Sequence, residues 1–248
     1  MRIKGVVSYK GTRYYGYQVQ PHDYEISIQE EIEKALSVIF NTQIRITSAG
    51  RTDKGVHALA QTFHFDIDKD VDVSKVRYSL NRLLPSDIFI KSLEVVSEDF
   101  HARFSVISKT YRYKINIGEY DPLIDDLVYS FRYPALDVDK MKEASKIFLG
   151  EHNFMNYCSN DEDFVRTIES INFTQEGNIL SIDLKGNGFR RYMVRMIVGT
   201  LLEIGQNRFS IEDAKSLLDT DKFDRVRFKA PAQGLYLYDI EYGGKKDD

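Results

Sequence analysis

The feature that most constrains this chain is the order in which its hydrophobic patterns change period. Val6 to Tyr9 alternate as in a strand, and Ile28, Ile32, Leu36 and Ile39 recur at helical spacing behind a Ser27/Glu30 capping box. "QIRITSA" and "AQTFHFDI" then read as strands, the second with Phe63, Phe65 and Ile67 on one face. Next comes a helix through Val76, Leu80 and Leu84, with Ser74 as its expected cap and Pro85 as its stop, followed by the strand "DIFIKSLEVV". The order is β-α-β-β-α-β. From about Ser105 it repeats: strand "SKTYRYKINI", a helix with Val138, Met141, Ala144 and Phe148, strands "FVRTIESINF" and "NILSIDLKG", helices "FRRYMVRMIVGTLLEIG" and "IEDAKSLLD", the latter capped by Ser210, and strand "GLYLYDIEY".

The repeat is one of topology and not of residues. It predicts an α+β fold of two pseudo-symmetric ferredoxin-like halves sharing a mixed, mainly antiparallel sheet, with helices on one face. The expected halves are 1–104 and 105–248. No Gly/Pro/Ser linker marks the joint between Phe100 and Ser105, so one packed body is expected. The closing "GGKKDD" reads as a solvated tail.

At 248 residues the chain can bury a full core. No window approaches the roughly 20 apolar residues of a membrane span, and the first residues lack a secretory pattern, so a soluble cytoplasmic protein is expected. Cys158 is the single cysteine, which leaves no intramolecular disulfide and no thiolate-rich zinc site; "MNYCSN" reads as a small half-buried position. The five histidines are scattered without ligand spacing, and no catalytic metal is expected. Net charge is −4, which disfavours unselective coating of nucleic acid. Basic residues nevertheless gather in the second half at Arg190, Arg191, Arg195, Arg208, Arg225, Arg227 and Lys229.

One polar stretch, "SAGRTDKGVHALAQTFHF", places Asp53 between two strands. As plain structure, "TDKG" is a turn with Gly55 at positive φ. As chemistry, Asp53 has Arg51, Lys54 and His57 beside it, and a neighbouring guanidinium keeps a carboxylate ionised and nucleophilic. In "SKTYRYKI", alternation sets Tyr111, Tyr113 and Ile115 on one face, a stacking platform for a base if it lines a cleft. In "GFRRYMVRMIVG", helical spacing puts Arg191 and Arg195 on one face, with Phe189, Met193, Ile197 and Leu201 forming a mostly apolar one. A partly buried Arg195 would call for a carboxylate. These residues describe an acid-and-arginine cleft with aromatics, and they leave the reaction open.

"AGRTDKGVHA" resembles the signature loop of the bacterial tRNA pseudouridine synthase A family. "YKGTRYYGYQVQP" resembles that family's opening segment, with Tyr17 where its members usually carry Trp. "FHARFSVISKTYRYKI", "GEHNF", "VRTIESI", "GFRRYMVRMIVGTLLEIG" and "APAQGLYL" follow in order, so the resemblance spans nearly the whole chain. It implies isomerisation of uridine to pseudouridine in RNA without cofactor or required metal. It further implies Asp53 as nucleophile, Tyr111 stacked on the target uracil and near its C5 proton, and Arg195 paired with Asp53 across the cleft. Leu235 would pack on the base or the tyrosine, and Arg51 would help extrude the nucleotide. Whether Asp53 attacks C1′ or acts at C2′ through a glycal stays open. Family members act on the anticodon arm of tRNA, at positions thirty-eight to forty, as homodimers. Arg190 and Arg191 are candidate RNA contacts. A paralogue acting on ribosomal RNA, or a non-catalytic RNA-binding module, are the alternatives.

Overall fold

The computed structural model describes residues 1–19, 26–133, 135–159 and 162–243; all but the first residue of the closing "GGKKDD" therefore lies outside the described part. In chain order its elements are β1 (Arg2–Tyr9), α1 (Ile28–Phe40), β2 (Thr47–Ser48), β3 (His57–Asp66), α2 (Val73–Leu83), β4 (Ile88–Val96), β5 (Val106–Asn116), β6 (Tyr129–Ser130), α3 (Val138–Ser145), β7 (Gly150–Asn153), β8 (Val165–Glu176), β9 (Ile179–Gly186), α4 (Met193–Gly205), α5 (Ile211–Ser216) and β10 (Leu235–Tyr242). The fold is α+β, and its strand pairs are mixed and mostly antiparallel. Two compact units account for the chain: Met1–Ile107 with Tyr236–Asp248, and Ser108–Leu235. The sequence reading carries the last strand with the second half, whereas its contacts cluster from Tyr236 onward with the first.

In the first unit the strand order is β4-β1-β3, with β2 and β10 both on the outer edge of β3. β2 holds the far end of β3 (Ser48 opposite Phe63), and β10 runs parallel to the near end, with Tyr236 opposite His57. One sheet face carries Ile3, Gly5 and Val7 opposite Phe65, Phe63 and Gln61. The Phe63 ring lies over Gly5, where an added Cβ would fall 2.4 Å from it. Helix α1 buries Ile28, Ile32, Ala35, Leu36 and Phe40, and the Phe40 ring meets Phe65 at 6.3 Å. Burying one such large apolar side chain contributes about 1.5–3 kcal/mol.

The helix ends follow the polar residues beside them. Ser27 Oγ accepts from Glu30 N at 3.2 Å, as its capping box predicts. For α2 the cap is Asp72, which accepts from the main-chain nitrogens of Ser74 and Lys75, so Ser74 lies within the first turn. An anionic carboxylate reaching two orphan N–H groups outcompetes the hydroxyl. The α2 helix ends at Leu83, two residues before Pro85, as that proline requires.

The second unit orders its strands β5-β9-β8-β7, all antiparallel, with β6 parallel on β5. Tyr113 and Ile115 sit opposite Ile182 and Leu180, and all four are buried. Helix α4 is buried around most of its circumference, which fits a central helix. Two glycines notch it. A Cβ on Gly205 would fall 2.8 Å from Met141 of α3, and one on Gly199 would fall 2.8 Å from the Phe228 main chain. Cys158 is fully buried, deeper than the half-buried position expected.

Tyr17 is fully buried, and its hydroxyl has no hydrogen-bond partner. Burial pushes its phenol well above the ordinary range and keeps it protonated. A buried hydroxyl without a partner costs about 1–3 kcal/mol. Tyr17→Phe is therefore expected to unfold with equal or higher stability, by about 1 kcal/mol, in a urea titration. A loss of more than 1 kcal/mol would show that the hydroxyl has a partner in solution.

Candidate active site

The Asp53 loop is built from the N-terminal segment that leaves β1. Gly11 donates its main-chain N–H to His57 Nδ1 at 3.0 Å, and Tyr9 Oη lies 2.8 Å from Thr52 Oγ1. Tyr17 N donates to the Thr52 carbonyl at 3.1 Å. Gly16, at φ +95°, lets the chain pass so close to that carbonyl that a Cβ would fall 2.6 Å from it. The segment is strapped at its other end to Asp87, whose carboxylate takes Tyr14 Oη at 2.6 Å and Arg13 Nε at 3.0 Å. Burial and this acid together raise the Tyr14 phenol and hold its proton. Strain and close approach are confined here to a few positions where glycine alone fits.

The turn itself matches the sequence reading. Val56 N donates to the Asp53 carbonyl at 3.1 Å, and Gly55 takes φ +79°. Behind it, the Gly50 carbonyl accepts from Gln61 Nε2 at 2.8 Å and from Ser48 Oγ at 3.2 Å. Asp53 is thus partly exposed on a loop pinned from three sides. Its neighbours differ in what they are free to do. Arg51 is exposed, with Nη1 3.3 Å from Gln18 Oε1. The Lys54 ammonium sits 3.7 Å from the centre of the Tyr15 ring. His57 is buried, stacks on Tyr236 at 4.7 Å, and accepts the Gly11 N–H at Nδ1. Its ring packs into the base of the loop.

In the second unit Tyr111 follows the buried Tyr113 and Ile115 along one face of β5, at the point where that face opens. The edge of the Phe189 ring meets it at 5.2 Å and 80°. Tyr113 donates its hydroxyl to the Pro231 carbonyl at 2.8 Å, and its ring lies where a Cβ on Gly234 would stand. Tyr113 is therefore core, and Tyr111 is the half-exposed member of the pair. Leu235 is buried directly after Gly234.

Arg195 is half-buried on α4 and locked to the same segment. Its Nε donates to the Ala230 carbonyl at 2.7 Å, while Ala230 N donates to the Arg195 carbonyl at 2.9 Å. The first bond anchors the guanidinium at Nε, and the second ties the same segment to the α4 main chain. The "APAQGLYL" motif is thus the strip that connects Arg195, Tyr113 and Leu235.

The basic cluster is redistributed. Helix α4 begins at Met193, because Tyr192 takes φ +64° and breaks the helical rise. Arg190 and Arg191 consequently lie before the helix, and Arg191 does not share a helical face with Arg195. Phe189 likewise leaves the apolar helical face expected for it. Arg190 is mostly buried in an ion pair with Asp163 and donates Nε to the Asp163 carbonyl at 2.6 Å; Arg166 binds the same carboxylate at 3.0 Å. Arg191 is exposed, with Nη2 2.9 Å from the Tyr192 hydroxyl. The Tyr192 ring has three cations near it, Lys229 at 4.3 Å, Arg191 at 4.8 Å and Arg195 at 5.5 Å. Neither Tyr192 nor Ala230 stands out in sequence: the first takes its place from a turn and the second from its bonds to Arg195.

Among the described residues no three His, Cys, Asp or Glu side chains gather as a metal site. None of the described helices is long and apolar enough to cross a membrane.

Comparison with known proteins adds the chemistry that geometry leaves open. The tRNA pseudouridine synthase family model matches residues 6–105 and again 144–243. A protein of Listeria monocytogenes named tRNA pseudouridine synthase A is 43% identical over 97% of this chain and 99% of its own length. Proteins of the same name from Bacillus licheniformis and Bacillus subtilis are 42% and 40% identical, each over 98% of this chain and 99% of theirs. With both signature regions matched and the Asp53 loop formed as described, the chain belongs to the tRNA pseudouridine synthase family.

Proposed function

We propose that this chain isomerises uridine to pseudouridine in the anticodon arm of tRNA, at positions thirty-eight to forty, as a cytoplasmic homodimer. The observation that carries the reading is Asp53 held on a pinned, partly exposed turn in a chain of this family. The reaction breaks the bond from uracil N1 to C1′ and makes one from C5 to C1′. The C5 hydrogen leaves as a proton and N1 gains one, so the balance needs no oxidant or reductant. Asp53 supplies the anion that acts on the ribose, by addition at C1′ or by taking the C2′ proton. Tyr111 offers its face to the uracil, and its hydroxyl is a group that can carry the C5 proton. Leu235 closes on the base, Arg195 supplies a fixed positive charge, and Arg51 holds the strand from which the nucleotide is drawn. Unstacking that nucleotide costs a few kcal/mol, offset by binding the rest of the RNA.

The test is release of tritium from tRNA transcripts carrying 5-tritiated uridine. Release that disappears when the uridines of the anticodon arm are replaced by cytidine supports the reading, and undiminished release overturns the choice of positions. For the surface, Arg191 is assigned to phosphate. Arg191→Glu is expected to weaken RNA binding and reduce the slope of log K against log salt by about 1. Arg190→Ala is expected to change stability by no more than about 1 kcal/mol, because the Asp163 carboxylate it pairs with is mostly exposed and keeps Arg166. An unchanged salt slope in Arg191→Glu removes it from the RNA surface.

A further inference from the structure

A cavity of about 430 Å³ opens in the second unit, lined by Asp125, Tyr129, Ser130, Arg132, Tyr133 and Gln233. None of these residues has a role in the account above. We propose that it is a subsite for an unpaired base of the substrate RNA neighbouring the target uridine; this rests on the reading of the chain as an enzyme acting on RNA.

Two of the lining residues are placed by the sheet. Tyr129 and Ser130 form β6, paired in parallel with Ile115 and Asn116 of β5, the strand that carries Tyr111. Phe131 continues this with its N–H on the Asn116 carbonyl at 2.8 Å, and its buried ring packs between Tyr129 at 6.5 Å and Tyr133 at 5.3 Å. The tyrosines are thus spaced by a core residue. Guanidinium planes lie beside these aromatics: Arg208 over the lining Tyr133 at 4.7 Å, and the lining Arg132 over the neighbouring Tyr120 at 4.2 Å. Stacked aromatic and guanidinium planes are the surfaces on which single-stranded bases rest.

The polar rim suits the edge of a base. Asp125 accepts from Ser130 Oγ at 2.8 Å, and its pair with Arg132 is long, 3.9 Å. That leaves acceptor capacity for the N–H donors of guanine or cytosine. Gln233 supplies an amide that can both donate and accept. It stands in the short turn Ala232–Gly234 directly before Leu235, so the cavity adjoins the strip that carries the proposed uracil contact. A volume of this size is ordinary for a pre-formed small-ligand site.

The experiment uses anticodon-arm hairpins with 2-aminopurine placed in turn at each position flanking the target uridine. One probe is expected to change its fluorescence on binding the unmodified protein, and Tyr129→Ala with Tyr133→Ala is expected to abolish that change and raise Kd about tenfold. Tyr78→Ala, an exposed tyrosine on α2, is the control and leaves both unchanged. Should the double variant fail to fold, Asp125→Ala is measured instead, with a preference for guanine or cytosine at the responding position expected to disappear. The proposal is overturned if no probe responds, or if the folded variants keep both response and affinity. Tritium release is scored separately on unlabelled arms, so a failure of the activity reading is distinct from a failure of the pocket.

Discussion

Asp53→Asn is expected to lower pseudouridine formation by at least about 10³-fold while leaving stability and RNA affinity within about 1 kcal/mol of the unmodified protein. The separation follows from the turn. Val56 N bonds to the Asp53 carbonyl, which is main chain, and Asn serves as well as Asp at the first position of such a turn. Gly55 keeps φ +79°, and the bonds from Gln61 and Ser48 to Gly50 do not involve the carboxylate. What is lost is the anion. Tritium release and a urea titration on one preparation check both halves. A variant that retains a tenth of the rate would make Asp53 a turn residue only.

Gly11→Ala is expected to be the most destabilising single methyl in the first unit, about 3 kcal/mol in urea unfolding, with a fall in turnover beyond the loss of folded protein. Its Cβ would stand 2.0 Å from the Val56 carbonyl oxygen and 2.7 Å from the carbonyl carbon. Both atoms belong to main chain in the turn that holds Asp53, so relief requires moving that turn or breaking the Gly11-to-His57 bond. Gly177→Ala gives the contrast. Gly177 has φ +57° with nothing within 4 Å of an added Cβ, so only backbone strain of about 1 kcal/mol is expected there. Equal costs at the two positions would mean that the segment after β1 does not brace the Asp53 loop.

What could be read from the chain was whatever short-range pattern determines. The Ser27 and Ser210 caps, the Gly55 turn and the Tyr111, Tyr113, Ile115 stripe each depend on residues within a few positions, and each is present. Long-range partners left no such trace. The bond from Gly11 to His57 spans 46 residues, and periodicity cannot report it. The pattern "RRYMVRM" predicts a helix through Tyr192; its left-handed backbone belongs to the turn closed by Met193 N on the Arg190 carbonyl. Arg190 looked like surface charge because Asp163 lies 27 residues earlier. The strands β2 and β7, two and four residues long, give too few alternations to be bounded from sequence. Parallel pairing of β10 with β3, which draws Tyr236 onto His57, joins opposite ends of the chain. The candidate site divided along the same line. Asp53, Arg51, Tyr111 and Arg195 are visible as polar or aromatic residues in local context, whereas the supports around them, Tyr9, Thr52, Phe189 and Ala230, become visible only in the fold.

The most direct measurement is a nucleotide-resolved pseudouridine map of tRNA and ribosomal RNA transcripts after incubation with the purified protein, run beside Asp53→Asn. The account predicts new pseudouridine in the tRNA anticodon arm that is absent with the variant. Pseudouridine only in ribosomal RNA, or an identical map from Asp53→Asn, would contradict it.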